Sequence, residues 1–303
     1  MSESVGCSVT GRFYADGRGS CDPGVPSQTR SAEGNALQGL VADPISAASP
    51  GDSGAAGGAA EPASLLACAP ILSPSLAIVV PCLDEVKQLR ILLPALQGVA
   101  DEVIVSDGGS RDGSPTLARD LGATVVAGPP GRGGQLNRGA AAAGAGVLLF
   151  LHADTRLPAG AGPAVRAACA GGAVGGGFRV RFDSGGFLLE RVGSSLVNLR
   201  TRLTRLPLGD QAQFATRAAF EALGGYPDWP ILEDLDFMRR LKRHGRTVLL
   251  TPPVVTSARR YLAGGKLATV SRNWCIVGLY ACGVAPQRLA RLYDRGLADR
   301  DEP

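Results

Sequence analysis

Four short apolar runs, each closed by a polar or glycine-rich loop, dominate the sequence from Leu76 to Asp154 and leave few folds open to it. LAIVVP (76–81), EVIVSD (102–107), ATVVAG (123–128) and VLLFLH (147–152) are rich in β-branched residues and short enough for strands buried on both faces. Segments of helical spacing lie between them. Val86, Leu89, Leu92, Leu93 and Leu96 share one face of a helix over 85–96, and residues 112–121 and 132–145 supply two more. Strands alternating with helices predict βαβ units and a mostly parallel α/β sheet flanked by helices. Ligands of such sheets bind beyond the carboxyl ends of the strands. The residues that matter are therefore expected directly after the apolar runs.

Three of those positions are acidic. The first run leads into Pro81-Cys82-Leu83-Asp84-Glu85, the second into Asp107-Gly108-Gly109-Ser110-Arg111-Asp112-Gly113-Ser114, and the fourth into His152-Ala153-Asp154-Thr155. Each loop alone is ordinary turn chemistry, since Asp, Gly and Ser favour turns and helix starts. Three in order at one sheet edge predict a negatively lined crevice that needs a compensating charge. A divalent cation, Mg²⁺ or Mn²⁺, is the simplest, because both take carboxylate together with diphosphate oxygen. No GxGxxG follows the first run and no GxxxxGK[ST] occurs, which disfavours a dinucleotide site and a P-loop. The stretch Gly128 to Asn137 (GPPGRGGQLN) is glycine-rich and precedes a helix, so its backbone and Arg132 suit a phosphate, although a plain surface loop would look the same.

Further on come Gly209-Asp210-Gln211, Gly224-Gly225-Tyr226 and Glu233-Asp234-Leu235-Asp236, the last opening a helix through His244. Carboxylates at a helix start are favoured by its dipole. The functional alternative is a general base facing the crevice.

Composition excludes several classes. No run of 18 apolar residues exists, so no membrane-spanning helix is expected. Seven Cys without a CxxC pair and two His speak against a zinc site or a disulfide framework, and for small buried hydrophobes in a reducing cytosol. Residues 1–74 are rich in Gly, Ala, Ser and Pro and hold three Arg against seven acids, which leaves 28 basic and 20 acidic residues beyond them. Such a segment cannot repay its chain entropy by burial and is expected to be a disordered leader. Its acidic, polar opening is unlike a secretory signal. The net +8 of the remainder is modest and lacks interleaved stacking residues, so no nucleic-acid partner is expected.

The ordered series PxxDE, DGGSxDGS, an Arg/Gln/Asn loop, a strand ending in HAD, GGY and ED resembles the inverting glycosyltransferases of family 2, which have the GT-A fold. The resemblance spans about 76–250. The variants RGGQLNRGA, HADT and GDQAQF are most similar to a bacterial subgroup, the transferase 2 associated with radical-SAM and selenoprotein-domain gene clusters. The resemblance implies a GT-A domain over 75–260 with a C-terminal helical extension over 261–303. It implies a nucleotide-sugar donor, most often a UDP-sugar, and a metal on its diphosphate held by Asp154. Asp107 matches the aspartate that reads the base, and Pro81 and Glu85, with Asp84, match the first nucleotide loop. Gly109, Ser110, Arg132, Gln135, Asn137 and His152 complete the expected nucleotide side, with Asp210 and Gln211 towards the acceptor. Asp234 matches the catalytic base, and Glu233 beside it is not distinguished from it. The sequence departs from the family at Asp84, where Asn is usual, and at Gly108 and His152, where aspartates are usual.

The acceptor is not named by the sequence. Residues 186–205, with Arg191, Arg200, Arg202 and Arg205, are expected to be helical, and 274–285 are apolar between Lys266, Arg272, Arg288 and Arg291. A basic rim of this kind suits a lipid-linked acceptor and a peripheral contact with the inner face of a membrane; a solvated face over a packed helix fits as well. Two other readings stand beside transfer: a sugar-phosphate nucleotidyltransferase, for which PCLDE is an unfavourable first loop, and a nucleotide-binding module without turnover.

Overall fold

The computed structural model describes residues 73–183, 188–257, 275–280 and 282–298, all within the unit Leu65–Pro303. The expected leader, apart from residues 73 and 74, and the start of the expected C-terminal extension lie outside them.

Eight strands form one sheet in the order β3-β2-β1-β4-β7-β6-β8-β5. The four predicted strands are β1 (Leu76–Cys82), β2 (Glu102–Asp107), β3 (Thr124–Ala127) and β4 (Val147–Phe150), all parallel. The other four are β5 (Thr155–Arg156), β6 (Gly175–Asp183), β7 (Phe214–Thr216) and β8 (Thr247–Ser257). β7 runs antiparallel to both β4 and β6. β6 and β8 are parallel, and β5 closes the edge antiparallel to β8. The chain leaves β1 on one side to build β2 and β3 and returns on the other to build β4. The carboxyl ends of β1 and β4 therefore flank the crevice where the strand order reverses.

Strand alternation divides the core. Leu76, Ile78 and Val80 point to one face, where α1 (Val86–Ala95), α2 (Ser114–Asp120) and α4 (Ala161–Ala170) cover them. Ala77 and Val79 point to the other, under α3 (Arg132–Ala142), α6 (Arg217–Ala222) and α7 (Glu233–His244). There Phe150, Phe220, Tyr226 and Phe237 form an aromatic cluster, with Phe150 and Tyr226 edge to face at 5.0 Å and Tyr226 and Phe237 at 4.4 Å. The helix expected over 112–121 starts later, at Ser114, because Asp112 is spent as a bracket: its Oδ1 accepts from the Ser114 backbone N–H, and its Oδ2 accepts from Val86 N–H at the start of α1. The helix expected to reach residue 145 stops at Ala142, where Ala143 turns extended.

A π-helical turn (Leu188–Gly193) leads into α5 (Ser194–Thr204). β7 pairs with β6 only at Gly175 and Gly176, so the rest of that edge of β6 needs other partners. Side chains provide them. Asn198 accepts from Val180 N–H (2.9 Å) and donates to its carbonyl (2.8 Å), Ser194 Oγ accepts from Phe182 N–H, and Gln211 Nε2 donates to the Phe178 carbonyl. The last described helix is α8 (Pro286–Ala298). Before it, the helical residues 275–280 pack on α7: Tyr280 donates to Asp236, stacks edge to face near Trp229 and lies under Arg239. This part of the apolar C-terminal stretch is thus a packed helix, whereas Trp274, Lys266 and Arg272 lie outside the described residues.

Candidate active site

The loops after β1 and β2 knit to each other. Asp84, at φ 53°, accepts from Arg111 N–H at 2.7 Å while its own N–H donates to Ser110 Oγ at 2.9 Å. Glu85 N–H donates to Ser114 Oγ at 3.0 Å. Asp107 is buried, and its carboxylate accepts from the N–H groups of Gly109 and Ser110. Asp112 sits below the usual carboxylate range, because hydrogen bonds from Ser114 and Val86 outweigh the cost of its burial.

A second group gathers beyond β4, where His152 and Asp154 meet the 3₁₀ turn Gly209–Gln211 and the first turn of α7. Asp234 Oδ2 accepts from Gly209 N–H at 2.6 Å, and Oδ1 accepts from Leu235 N–H at 2.7 Å. A Cβ placed on Gly209 would stand 3.0 Å from His152 Nε2 and 3.1 Å from Asp234 Oδ2, so glycine alone keeps that space open between the imidazole and the carboxylate. Glu233 is 2% exposed and meets Arg132 Nη1 at 3.5 Å. Burial and the neighbouring Asp234 push Glu233 up to about 7 against the pull of Arg132. Arg132 is opposed by burial but held more firmly protonated by Glu233, Asp234 and Asp154. Burial of the Asp210 carboxyl, countered by Arg200 and reinforced by Asp234 and Asp154, pushes it up to about 6, and its buried Oδ1 has no hydrogen-bond partner. Desolvation, with Asp234 and Glu233, raises the Tyr226 hydroxyl well above its ordinary value; that hydroxyl donates to Gln213, which in turn donates to the Asp234 carbonyl.

The negative crevice is therefore built differently from the sequence expectation. Of the three acidic loops only the third joins the cluster, and Asp154 is met there by Asp210, Glu233 and Asp234. Asp84 and Asp112 spend their carboxylates on backbone N–H groups across the two loops, of Arg111 and Val86, and Asp107 spends its own on Gly109 and Ser110. Four expected ligand residues are internal ties. Asp107 faces into its own loop. Gln135 donates to the Cys82 and Ser106 carbonyls while its Oε1 accepts from Gly131 N–H. Asn137 clasps both backbone groups of Tyr226. Gln211 is fully buried among Thr201, Leu208 and Phe178. Glu233, expected as an alternative base, is sealed behind Arg132. Pro81, Asp84, Glu85, Gly109, Arg132, His152, Asp154 and Asp210 keep some exposure. Asp154 also lines a cavity of about 300 Å³ with Lys87, Arg156 and Asp183. The sequence reading assigned no role to Gly209 or Gln213; the alternating Gln211 and Gln213 of GDQAQF were the signal available.

Whether these residues suit a cation can be judged from their chemistry. Four carboxylates share the cluster with two guanidiniums, and a buried carboxylate oxygen is orphaned. A hard divalent cation matches that donor set. Among the described residues no three His, Cys, Asp or Glu side chains are close enough to hold a metal by themselves, so Asp154 would share it with oxygens of a bound ligand.

A doubly flanked α/β sheet with a carboxylate cluster at its switch crevice is the architecture that the sequence resemblance to the GT-A glycosyltransferases predicts. Residues 77–220, just under half of the chain, match the family described as Glycosyl transferase family 2. No curated protein matches the chain. Similar solved structures include a mycobacterial protein (23% identity over 61% of this chain and 65% of that one, TM-score 0.43). Another is glucosyl-3-phosphoglycerate synthase from Mycobacterium tuberculosis, solved with Mn²⁺, uridine diphosphate and glucosyl-3-phosphoglycerate (21%, 70% and 81%, TM-score 0.49). A third is the mannosyltransferase PcManGT from Pyrobaculum calidifontis with GDP-Man and Mn²⁺ (22%, 68% and 61%, TM-score 0.46). The chain thus spans under two thirds of the first and third of these proteins.

Proposed function

We propose that the unit over 75–260 transfers a sugar from a nucleotide diphosphate sugar, a UDP-sugar first among candidates, to an acceptor hydroxyl with inversion at the anomeric carbon. The observation that carries this reading is Asp234, fixed by two N–H donors and bordering the space that Gly209 leaves open beside His152. The acceptor hydroxyl gives its proton to Asp234 as it attacks the face opposite the leaving nucleotide. The match of residues 77–220 to the glycosyl transferase family 2 supports the donor class. Glu233 is too buried to meet an acceptor and acts by holding Arg132 over the crevice. Arg132 and the exposed loop residues Asp84, Glu85 and Gly109 orient the nucleotide from the β1 and β2 side. Mg²⁺ or Mn²⁺ on Asp154 would neutralise charge on the departing diphosphate. Asp210, beside Asp234 and Asp154, lies on the acceptor side. No described helix is long and apolar enough to cross a membrane.

The test is transfer from a panel of nucleotide sugars, with product stereochemistry read by NMR. Asp234→Asn is expected to lower turnover about 10²- to 10⁴-fold while UDP still binds with Mn²⁺. Unchanged turnover would move the base elsewhere. Pyrophosphate released from a nucleoside triphosphate and a sugar phosphate would assign the nucleotidyltransferase reaction instead, and nucleotide binding without any transfer would leave a binding module.

A further inference from the structure

Helix α5 is built inside out. Its inward face is polar apart from Val197, which packs against the core: Ser194, Asn198 and Thr201 are turned to the β6 edge and to Gln211. Its outward pole is apolar. Val192, Leu196, Leu199 and Leu203 are 46%, 51%, 54% and 75% exposed. Their spacings of four, three and four residues place them in one narrow stripe roughly 17 Å long, opposite the buried face. A surface helix normally shows the reverse. Arg191, Arg202 and Arg205 are exposed on the same segment, Arg191 and Arg202 to one side of the stripe. Over 188–205 the sequence has four Arg and one acidic residue, Glu190.

We infer that this face of α5 seats on a lipid bilayer surface that contains anionic lipid. Two features choose this occupant over a second copy of the chain. Pairing α5 with itself would set arginines against arginines, whereas anionic headgroups complement them. Four side chains also fall far short of the roughly 800 Å² per partner of a stable protein interface. A bilayer boundary demands no matching shape: leucines enter the acyl boundary, and arginine stems lie along it with their guanidiniums among the phosphates. The helix lies on the surface and does not span it, in keeping with its eleven residues.

The full chain is mixed with phosphatidylcholine vesicles, with or without phosphatidylglycerol, and floated on a density gradient without donor or acceptor. It is expected to float with the anionic vesicles at low salt, to leave them as salt rises, and not to float with the neutral ones. Leu199→Ser with Leu203→Ser is expected to weaken binding at least about tenfold with unchanged thermal melting, since both side chains face outward. Arg202→Gln is expected to cost about fivefold. Should the double variant fold poorly, Leu203→Gln alone, at the most exposed position, carries the same expectation with a smaller loss. No flotation of the native chain at low salt overturns the inference, as does undiminished flotation of the folded leucine variants. A dimer in sedimentation velocity that the leucine variants dissociate would assign the face to a second copy. Binding is read apart from transfer, so a chain that floats and transfers nothing keeps this inference while the proposed activity fails.

Discussion

At the scale of single residues, the site is an arrangement of carboxylates whose neighbours give them different work. Asp234 and Glu233 are adjacent in sequence, yet one borders the crevice and the other is sealed behind Arg132. Gly209 is as specific a requirement as any acid. Gly209→Ala would push a methyl group between His152 and Asp234; turnover is expected to fall about tenfold to a hundredfold, with the nucleotide dissociation constant in calorimetry nearly unchanged. Asp210 gives the protein a pH signature. A carboxyl at about 6 in the folded chain, against an ordinary value near 4, keeps its proton on folding across that window. Stability contributed by the protonated form is present at low pH and is lost as pH rises towards and through 6. The full penalty, about 3 kcal/mol at most, then persists above it. In urea titrations with a chelator present, Asp210→Asn is expected to flatten this fall and to be more stable than the native chain at pH 7.5, less whatever Arg200 loses with the charge. An equal pH slope in the two proteins would remove Asp210 as its source. Gly108 marks a family departure that the structure accounts for: a Cβ there would approach Gln135 Nε2 at 3.0 Å, so Gln135 occupies the room a second aspartate would need.

At the scale of elements, the parallel half of the sheet was legible because β1 to β4 announce themselves by dense β-branched runs, and their order follows from the helices between them. β5 and β7 were not, having two and three residues, too few to show a period. The role of α5 was hidden for a different reason: apart from Val197 its inward face is hydrophilic, so periodicity marks the wrong side as buried. In the site, sequence order located Asp154, Asp210 and Asp234, because strand ends and a helix start place them. It could not tell an amide facing a ligand from one spent inside the fold, so Gln135, Asn137 and Gln211 were read as ligands although each is engaged in internal hydrogen bonds. Asn198 is the tie that most defines its element. Asn198→Ala would leave Val180 N–H and C=O unpaired beneath the helix, and a loss of about 1–3 kcal/mol is expected in the denaturation midpoint. A change within error would mean water replaces the amide fully.

At the scale of the whole molecule, the distribution of ligands predicts how metal and nucleotide act on stability. Because no described group of side chains completes a metal site, Mn²⁺ alone is expected to shift the melting temperature little. Mn²⁺ with UDP at a hundredfold excess over its dissociation constant is expected to stabilise by about 2.7 kcal/mol. Equal shifts with and without nucleotide would show that the protein holds its metal unaided. The cover over β6 has a bearing on how the protein behaves in the test tube. Ser194, Asn198 and Gln211 occupy hydrogen-bonding positions along the edge of β6 between Phe178 and Phe182. Were α5 to swing away, Val180 would lose both its backbone partners on that edge and could pair with a strand from another molecule. Concentrated stocks warmed below the unfolding temperature are therefore expected to scatter light before far-ultraviolet dichroism changes, earliest in Asn198→Ala, and shelf life becomes a property of one helix rather than of the global fold.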